Sequence, residues 1–275
     1  MKNRIKSIAI GAFDGMHLAH QQLFSNLCKD GAIVVIQTDY ENLTPSTVSR
    51  QEHTNYPIFY YPLKNIKSLS GTEFIKLILE EFPSLEKIVV GYDFHFGHNA
   101  QSNTTHLKKI FKGELKVVDE YKIDNISVHS RIIRGYLRDG KIKDANKLLG
   151  YNYYIYGNII KGQGLGKKQF VPTININIEK SLIPQEGIYI TKTKIFNTIY
   201  KSISFIGHRV TTDGKFAVET HILEDISNLE LPSKIEVIFI DKLRDNKKYD
   251  RYEDLKKQIL KDIDEVKSLY FKLNY

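Results

Sequence analysis

Two histidines stand three residues apart in a glycine-flanked segment near the start of the chain, Gly11-Ala12-Phe13-Asp14-Gly15-Met16-His17-Leu18-Ala19-His20. Glycines let the backbone turn tightly at the end of a strand, and a helix beginning there offers N–H groups and a positive dipole end to phosphate. At a helix start His17 and His20 face one side. There they can donate hydrogen bonds to phosphate oxygens and stabilise the added charge of a phosphoryl transition state. A structural helix start or a metal pair would use the same two residues, but no further Cys or His cluster accompanies them. A second segment, Gly91-Tyr92-Asp93-Phe94-His95-Phe96-Gly97-His98, carries another pair at the same spacing. By itself it also reads as an aromatic strand end with turn glycines. In Ser127-Val128-His129-Ser130-Arg131-Ile132-Ile133-Arg134, a hydroxyl and a guanidinium at a helix start suit the oxygens of a triphosphate.

The second half holds its own set. Gly162-Gln163-Gly164-Leu165-Gly166-Lys167-Lys168 is a flexible basic loop, followed by Pro172-Thr173-Ile174-Asn175. It is not a Walker A loop, because the glycine spacing differs and no Ser or Thr follows the lysine. Val218-Glu219-Thr220-His221 puts a carboxylate on an alternating strand, where a solvent-facing role competes with a chemical one.

The elements that must position these residues follow from hydrophobic period. Short apolar runs at Ser7 to Ile10, Ala32 to Gln37, Pro57 to Tyr61, Lys87 to Val90 and Leu115 to Val118 alternate with helical patterns, as in a layered α/β domain. Helices are expected over Gln21 to Cys28, Thr72 to Glu81 and Ser130 to Leu149, the last broken near Gly140 and closed by Gly150. Beyond residue 150 come strand patterns at Tyr153 to Ile160, Thr173 to Ile178, Ile188 to Ile195, Ser202 to Ile206, Phe216 to Leu223 and Lys234 to Ile240. With no helices between them, they predict a small antiparallel barrel. A terminal helix over Tyr252 to Phe271 carries Leu255, Ile259, Ile263 and Val266 on one stripe. The boundary is placed near residue 150.

The chain has 275 residues, 41% hydrophobic and 26% charged, enough to bury two cores. One cysteine, Cys28, excludes a disulfide framework, a zinc finger or an iron–sulfur cluster. The N-terminal apolar stretch is short and reads as a strand rather than a signal peptide, and no run approaches the about 20 residues of a membrane span. A cytoplasmic protein is expected. The net charge of +8 favours polyphosphate ligands or nucleic acid, but the lysines are scattered in separate pairs and form no basic arm.

The motifs together resemble those of the bacterial bifunctional riboflavin kinase/FAD synthetases. The first segment resembles the family's GxFDGxHxGH, a form of the nucleotidylyltransferase HxGH, with Ala19 in place of glycine. The second resembles GxDFxFG and the third SSTxIR, with Arg131 in place of threonine. Gln169-Phe170-Val171-Pro172-Thr173-Ile174-Asn175 is similar to LGFPTAN, keeping Thr173 and Asn175. Gly207 to Thr211 resembles GxRPT with Val210 for proline, and Leu243-Arg244 with Tyr249 to Asp262 resembles the closing segment that borders the flavin.

The resemblance implies a Rossmann-like α/β nucleotidylyltransferase domain over 1–150, acting as FMN adenylyltransferase. It implies a β-barrel riboflavin kinase domain with a terminal helix over 151–275. Under it, His17, His20 and Glu219 are catalytic, Glu219 as general base on the ribityl 5′-hydroxyl. Gly11, Phe13, Asp14, Ser130 and Arg134 bind ATP in the first site, and Gly162, Gly164 and Gly166 in the second. Asp93, Phe94 and Arg244 contact flavin, and Thr173 and Asn175 hold Mg²⁺. ATP is co-substrate, riboflavin and FMN are substrates, FMN and FAD are products, and no membrane or specific nucleic-acid partner is implied. Two other readings stay open: a single-activity flavokinase with an N-terminal binding module, and a basic RNA-binding protein.

Overall fold

The computed structural model describes residues 2–38, 43–44, 47–160, 171–178, 180–211 and 213–272. The chain divides into two compact units, 1–130 and 131–275.

The first unit is built on parallel strands. Its elements are β1 (Ser7–Gly11), α1 (Leu18–Phe24), β2 (Gly31–Gln37), α2 (Thr47–Gln51), β3 (Ile58–Pro62), α3 (Leu63–Ile66), α4 (Gly71–Glu81) and β4 (Lys87–Gly91). After these come β5 (His95–Phe96), β6 (Ser102–Asn103), α5 (Thr104–Ile110), β7 (Glu114–Val118), β8 (Lys122–Ile123) and β9 (Ile126–Ser127). Five strands form one sheet in the order β3-β2-β1-β4-β7, all neighbours parallel. The apolar runs are nearly continuous because both faces are covered. Ile8, Ile10, Val34, Ile88 and Val90 pack on Phe74 and Ile78 of α4. Ala9, Ile33, Val35 and Val89 pack on Phe13, Met16, Leu23 and Phe24 on the other side.

Each of the five expected strands of this sheet is present within a residue of its expected position. Helix α4 begins one residue earlier than the periodicity predicts, because Ser70 and Glu73 form a reciprocal capping box that fixes its first turn. Helix α1 starts at Leu18 rather than Gln21, with His17 as its N-cap, and ends by Phe24. It ends there because the Ser25 and Asn26 side chains bond back to the Gln22 carbonyl and turn the chain. Helix α5 and the two small hairpins β5–β6 and β8–β9 are too short to leave a periodic signal.

In the second half, α6 (Ser130–Arg138) and α7 (Ile142–Leu149) replace the one interrupted helix expected, and Gly150 closes α7 at φ 81°, a left-handed cap that suits glycine. Then come β10 (Tyr154–Ile160), β11 (Ile174–Asn177), β12 (Gly187–Ile195), β13 (Thr198–His208), β14 (Phe216–Ile222), β15 (Lys234–Arg244) and α8 (Tyr252–Lys272). The strands close a barrel in the order β10-β11-β14-β13-β12-β15, antiparallel at every seam. Helix α7 packs on β15, and Asn146 Nδ2 donates to the Phe239 carbonyl at 2.9 Å. Helix α8 lays Ile263, Val266 and Tyr270 on Ile190 and Ile203 of the barrel wall.

The barrel interior is not wholly apolar. Thr191, Thr193, Ser202, Ser204 and Thr220 are fully buried and hydrogen-bonded in a closed cycle. The cycle runs Thr191–Ser202 (2.8 Å), Ser202–Thr193 (2.9 Å), Thr193–Thr220 (3.2 Å), Thr220–Ser204 (2.9 Å) and Ser204–Thr191 (2.8 Å). Because each hydroxyl donates once, five hydroxyls satisfy this ring completely when all donors run the same way round. Among the described residues no helix is long and apolar enough to cross a membrane.

Candidate active sites

In the first unit the chain runs β1, β2, β3 to one edge of the sheet and then returns to place β4 on the other side of β1. That reversal opens a crevice at the carboxyl ends of β1 and β4, where open α/β sheets collect ligands. The Gly11–His20 segment follows β1 and the Gly91–His98 segment follows β4, so both flank this crevice.

The loop after β1 turns through left-handed backbone at Phe13 (φ 46°), Gly15 (φ 84°) and Met16 (φ 41°). Such φ values in two non-glycine residues persist only where surrounding contacts over-determine them. Here the Phe13 ring is buried edge-on to Phe24 and His20 and lies within 3.0 Å of where a Cβ on Gly11 would stand. The Asp14 carboxylate accepts the Leu43 and Thr44 N–H groups at 3.1 Å each, and the Gly15 N–H donates to Thr44 Oγ1 at 2.6 Å. Phe13 and Asp14 therefore turn their side chains inward and brace the loop.

His17 and His20 stack with ring centroids 3.5 Å apart and planes 19° from parallel. His17 is only 3% exposed. His20 is half-buried, with its Nδ1 shut off from solvent and without a hydrogen-bond partner among the described residues. Burial, and after it the neighbouring His17, His129 and Arg50, hold the His20 imidazole well below the ordinary histidine pKa. The His20 ring is therefore held neutral, with one ring N–H to donate.

The third segment meets the other two. Ser130 Oγ donates to the Asp14 carbonyl at 2.7 Å. Tyr92 and His129 share a hydrogen bond of 3.0 Å, and His129 Nδ1 lies 3.9 Å from the Asp93 carboxylate. Phe94 stacks on Phe96 at 5.2 Å, leaving Asp93 exposed beside it. Arg134 lies one turn further along α6, beyond the first unit. Arg50 carries no motif, yet its buried guanidinium lies close enough to lower the His20 pKa, and its Nε has no partner among the described residues. Thr44 and Arg50, in the connection from β2 to β3, and His129, just ahead of α6, come near the β1 loop only in the folded chain, and no spacing marks them as site residues.

On the barrel, alternation sends Ile174, Ile176, Val218 and Thr220 inward and Thr173, Asn175 and Glu219 to the outer wall. Asn175 and Glu219 are direct register partners on β11 and β14, and Thr173 Oγ1 donates to Glu219 Oε2 at 3.4 Å. The other carboxylate oxygen accepts from Arg209 Nη1 at 3.2 Å. Burial pushes the Glu219 carboxyl up, and the Arg209 guanidinium and the Thr173 hydroxyl pull it partly back. His221, two residues along the same face, bonds the Pro172 carbonyl at 2.7 Å and anchors the segment that carries Thr173. Gly162, Gly164 and Gly166 lie outside the described residues. Arg244 faces Asp262 of α8, its Nε and Nη2 donating to that buried carboxylate at 2.6–3.1 Å, so it ties β15 to the terminal helix.

A parallel sheet with three loop segments gathered at its return point, followed by a closed barrel with a carboxylate, a hydroxyl and an amide on its wall, defines a two-part protein of the nucleotide-transferring class. Residues 53–132 match the family model described as FAD synthetase, and residues 149–270 match the one described as riboflavin kinase. A Buchnera aphidicola protein (subsp. Schizaphis graminum) named bifunctional riboflavin kinase/FMN adenylyltransferase is 32% identical, over 98% of this chain and 96% of its own. Its namesake from Buchnera aphidicola subsp. Acyrthosiphon pisum is 30% identical over 93% and 90%. A solved structure described as a macrolide-efflux protein from Streptococcus pneumoniae shares the fold, with a TM-score of 0.83 over 97% of both chains at 24% identity. The chain belongs to the bifunctional riboflavin kinase/FMN adenylyltransferase family.

Proposed function

We propose that this chain phosphorylates riboflavin to FMN and then adenylylates FMN to FAD, using one ATP in each reaction. The kinase chemistry is assigned to residues 151–275 and the adenylyl transfer to residues 1–150. One observation supports the pairing most strongly: Thr173, Asn175 and Glu219 converge on one patch of barrel wall, while a histidine pair sits at the return point of a separate sheet.

In the barrel, Glu219 accepts the proton of the ribityl 5′-hydroxyl as that oxygen bonds to the γ-phosphorus and the bond to the bridging oxygen breaks, releasing ADP. Thr173, Asn175 and Glu219 offer hard oxygen donors on neighbouring strands, which fits a magnesium ion that keeps several waters and takes few protein ligands. Thr173 and Asn175 would hold it. Mg²⁺ there would supply positive charge that offsets the charge of the phosphates.

In the sheet domain, an FMN phosphate oxygen bonds to the α-phosphorus of ATP and pyrophosphate leaves. No side chain becomes covalently attached and no proton must be removed. The stacked His17 and His20 rings donate hydrogen bonds to the equatorial oxygens, Ser130 braces the loop, and the nearby Arg50 supplies positive charge. Asp93 and Phe94 lie on the side of the crevice left for the flavin. Both reactions suit a cytoplasmic enzyme.

The assignment is tested by separating the two activities. Glu219→Gln is expected to lower FMN formation about 100- to 10,000-fold, the range for loss of a general base, and to leave FAD formation from supplied FMN intact. His20→Ala is expected to do the reverse. Equal loss of both reactions in either variant would contradict two separate sites.

A further inference from the structure

Arg209 stands at the start of the connection from β13 to β14 and touches two carboxylates. Its Nη1 donates to Glu219 Oε1 at 3.2 Å and its Nη2 to Asp213 Oδ2 at 2.9 Å. All three side chains are at most about one-fifth exposed, so these contacts are only partly screened by water. The connection is itself held shut by Arg209 N–H to the Lys215 carbonyl (3.0 Å) and Gly214 N–H to the Arg209 carbonyl (3.1 Å). Asp213 Oδ1 accepts the Lys215 N–H at 3.2 Å, which fixes the carboxylate that orients the guanidinium. Glu219 is therefore gripped at both oxygens, one from this connection and one from Thr173 ahead of β11.

We propose that Arg209 is the positioning residue for the kinase reaction: with Asp213 behind it, it locks the rotamer of Glu219 so that the carboxylate meets the 5′-hydroxyl of the flavin substrate. This rests on the reading of Glu219 as proton acceptor. A glutamate has three rotatable side-chain bonds, and two fixed hydrogen bonds remove most of that freedom before substrate arrives. The alternative for a cation beside a phosphoryl-transfer site is direct contact with ATP. Both terminal nitrogens of Arg209, however, already point at carboxylates, and those two anions offset the charge that a triphosphate would meet. Lysine would keep the charge but not the fork that spans two carboxylates.

The test measures riboflavin phosphorylation by the full chain in Arg209→Met, Arg209→Lys, Glu219→Gln and the Arg209→Met/Glu219→Gln pair. Arg209→Met is expected to lower kcat about 10- to 100-fold, the cost of a reacting group displaced by about an ångström, while KM for ATP and for riboflavin stays within about threefold. Arg209→Lys recovers part of that loss. In the Glu219→Gln background, removing Arg209 costs nothing further, because the group it positions is already gone. FAD formation from supplied FMN holds at the parental rate throughout and reports that the chain is folded. A rise in KM for ATP at unchanged kcat would overturn the proposal in favour of a phosphate ligand. So would a full Arg209→Met penalty persisting on top of Glu219→Gln. A parent chain that makes no FMN would instead remove the kinase reading on which the role stands.

Discussion

At the residue scale, the histidine pair shows how far spacing predicts chemistry. The separation of His17 and His20 places both rings on one side of the chain, as expected, but their stacking and the burial of His17 depend on what folds over them. The side chains of Phe13 and Asp14 brace a strained loop from within, a role that the motif's spacing does not disclose. Arg50 could not be found from the sequence, since it belongs to no motif and comes near His20 only through the folded connection from β2 to β3. The depressed pKa of His20 has a thermodynamic consequence. A histidine that resists protonation when folded binds its proton more readily when unfolded, so its contribution is present above the ordinary value of 6.5 and is lost as pH falls below it. Burial lowers His53 and His221 in the same sense, so the informative comparison is between the parent and His20→Asn. Lowering pH from 7 to 5.5 is expected to destabilise the parent more, by at most about 1.4 kcal/mol per pH unit below 6.5, the value for one proton. Urea midpoints of the two proteins at both pH values check this, and equal falls would remove His20 as the source.

At the scale of elements, strand pattern carried most of the information. Five parallel strands, six barrel strands and the terminal helix were legible because their apolar period is long and unbroken, and Ile259, Ile263 and Val266 do line the packed face of α8. What pattern alone could not show is the hydroxyl ring. Thr191, Thr193, Ser202, Ser204 and Thr220 read as ordinary polar positions of alternating strands, and only the closure of the barrel turns them toward one another. Register is at stake here, because a slip of one residue on β14 would send Glu219 inward and Thr220 out. Thr220→Val keeps the shape of the side chain but strips Thr193 and Ser204 of a ring partner. It is expected to cost about 1–3 kcal/mol of stability, the range for leaving a buried hydroxyl unsatisfied. Chemical denaturation of parent and variant measures it, and a neutral result would mean that the ring contributes nothing net to the fold.

At the scale of the whole molecule, the chain joins two units whose sites are built by different physics. In the first, a parallel sheet, covered on both faces, gathers loops at its return point and brings a stacked histidine pair and a buried arginine to one place. In the second, an antiparallel barrel uses strict alternation to put an oxygen-rich patch on its outer wall. The order of motifs along the sequence disclosed this plan. The bracing of Glu219 by Arg209 and of the β1 loop by Leu43 and Thr44 did not, since those contacts span connections whose course no local pattern sets. The most direct measurement incubates the full chain with riboflavin, ATP and Mg²⁺ and follows flavins and pyrophosphate over time. FMN should appear first, followed by FAD with one pyrophosphate released for each FAD formed. Accumulation of FMN with neither FAD nor pyrophosphate, or riboflavin left unchanged, would contradict the account.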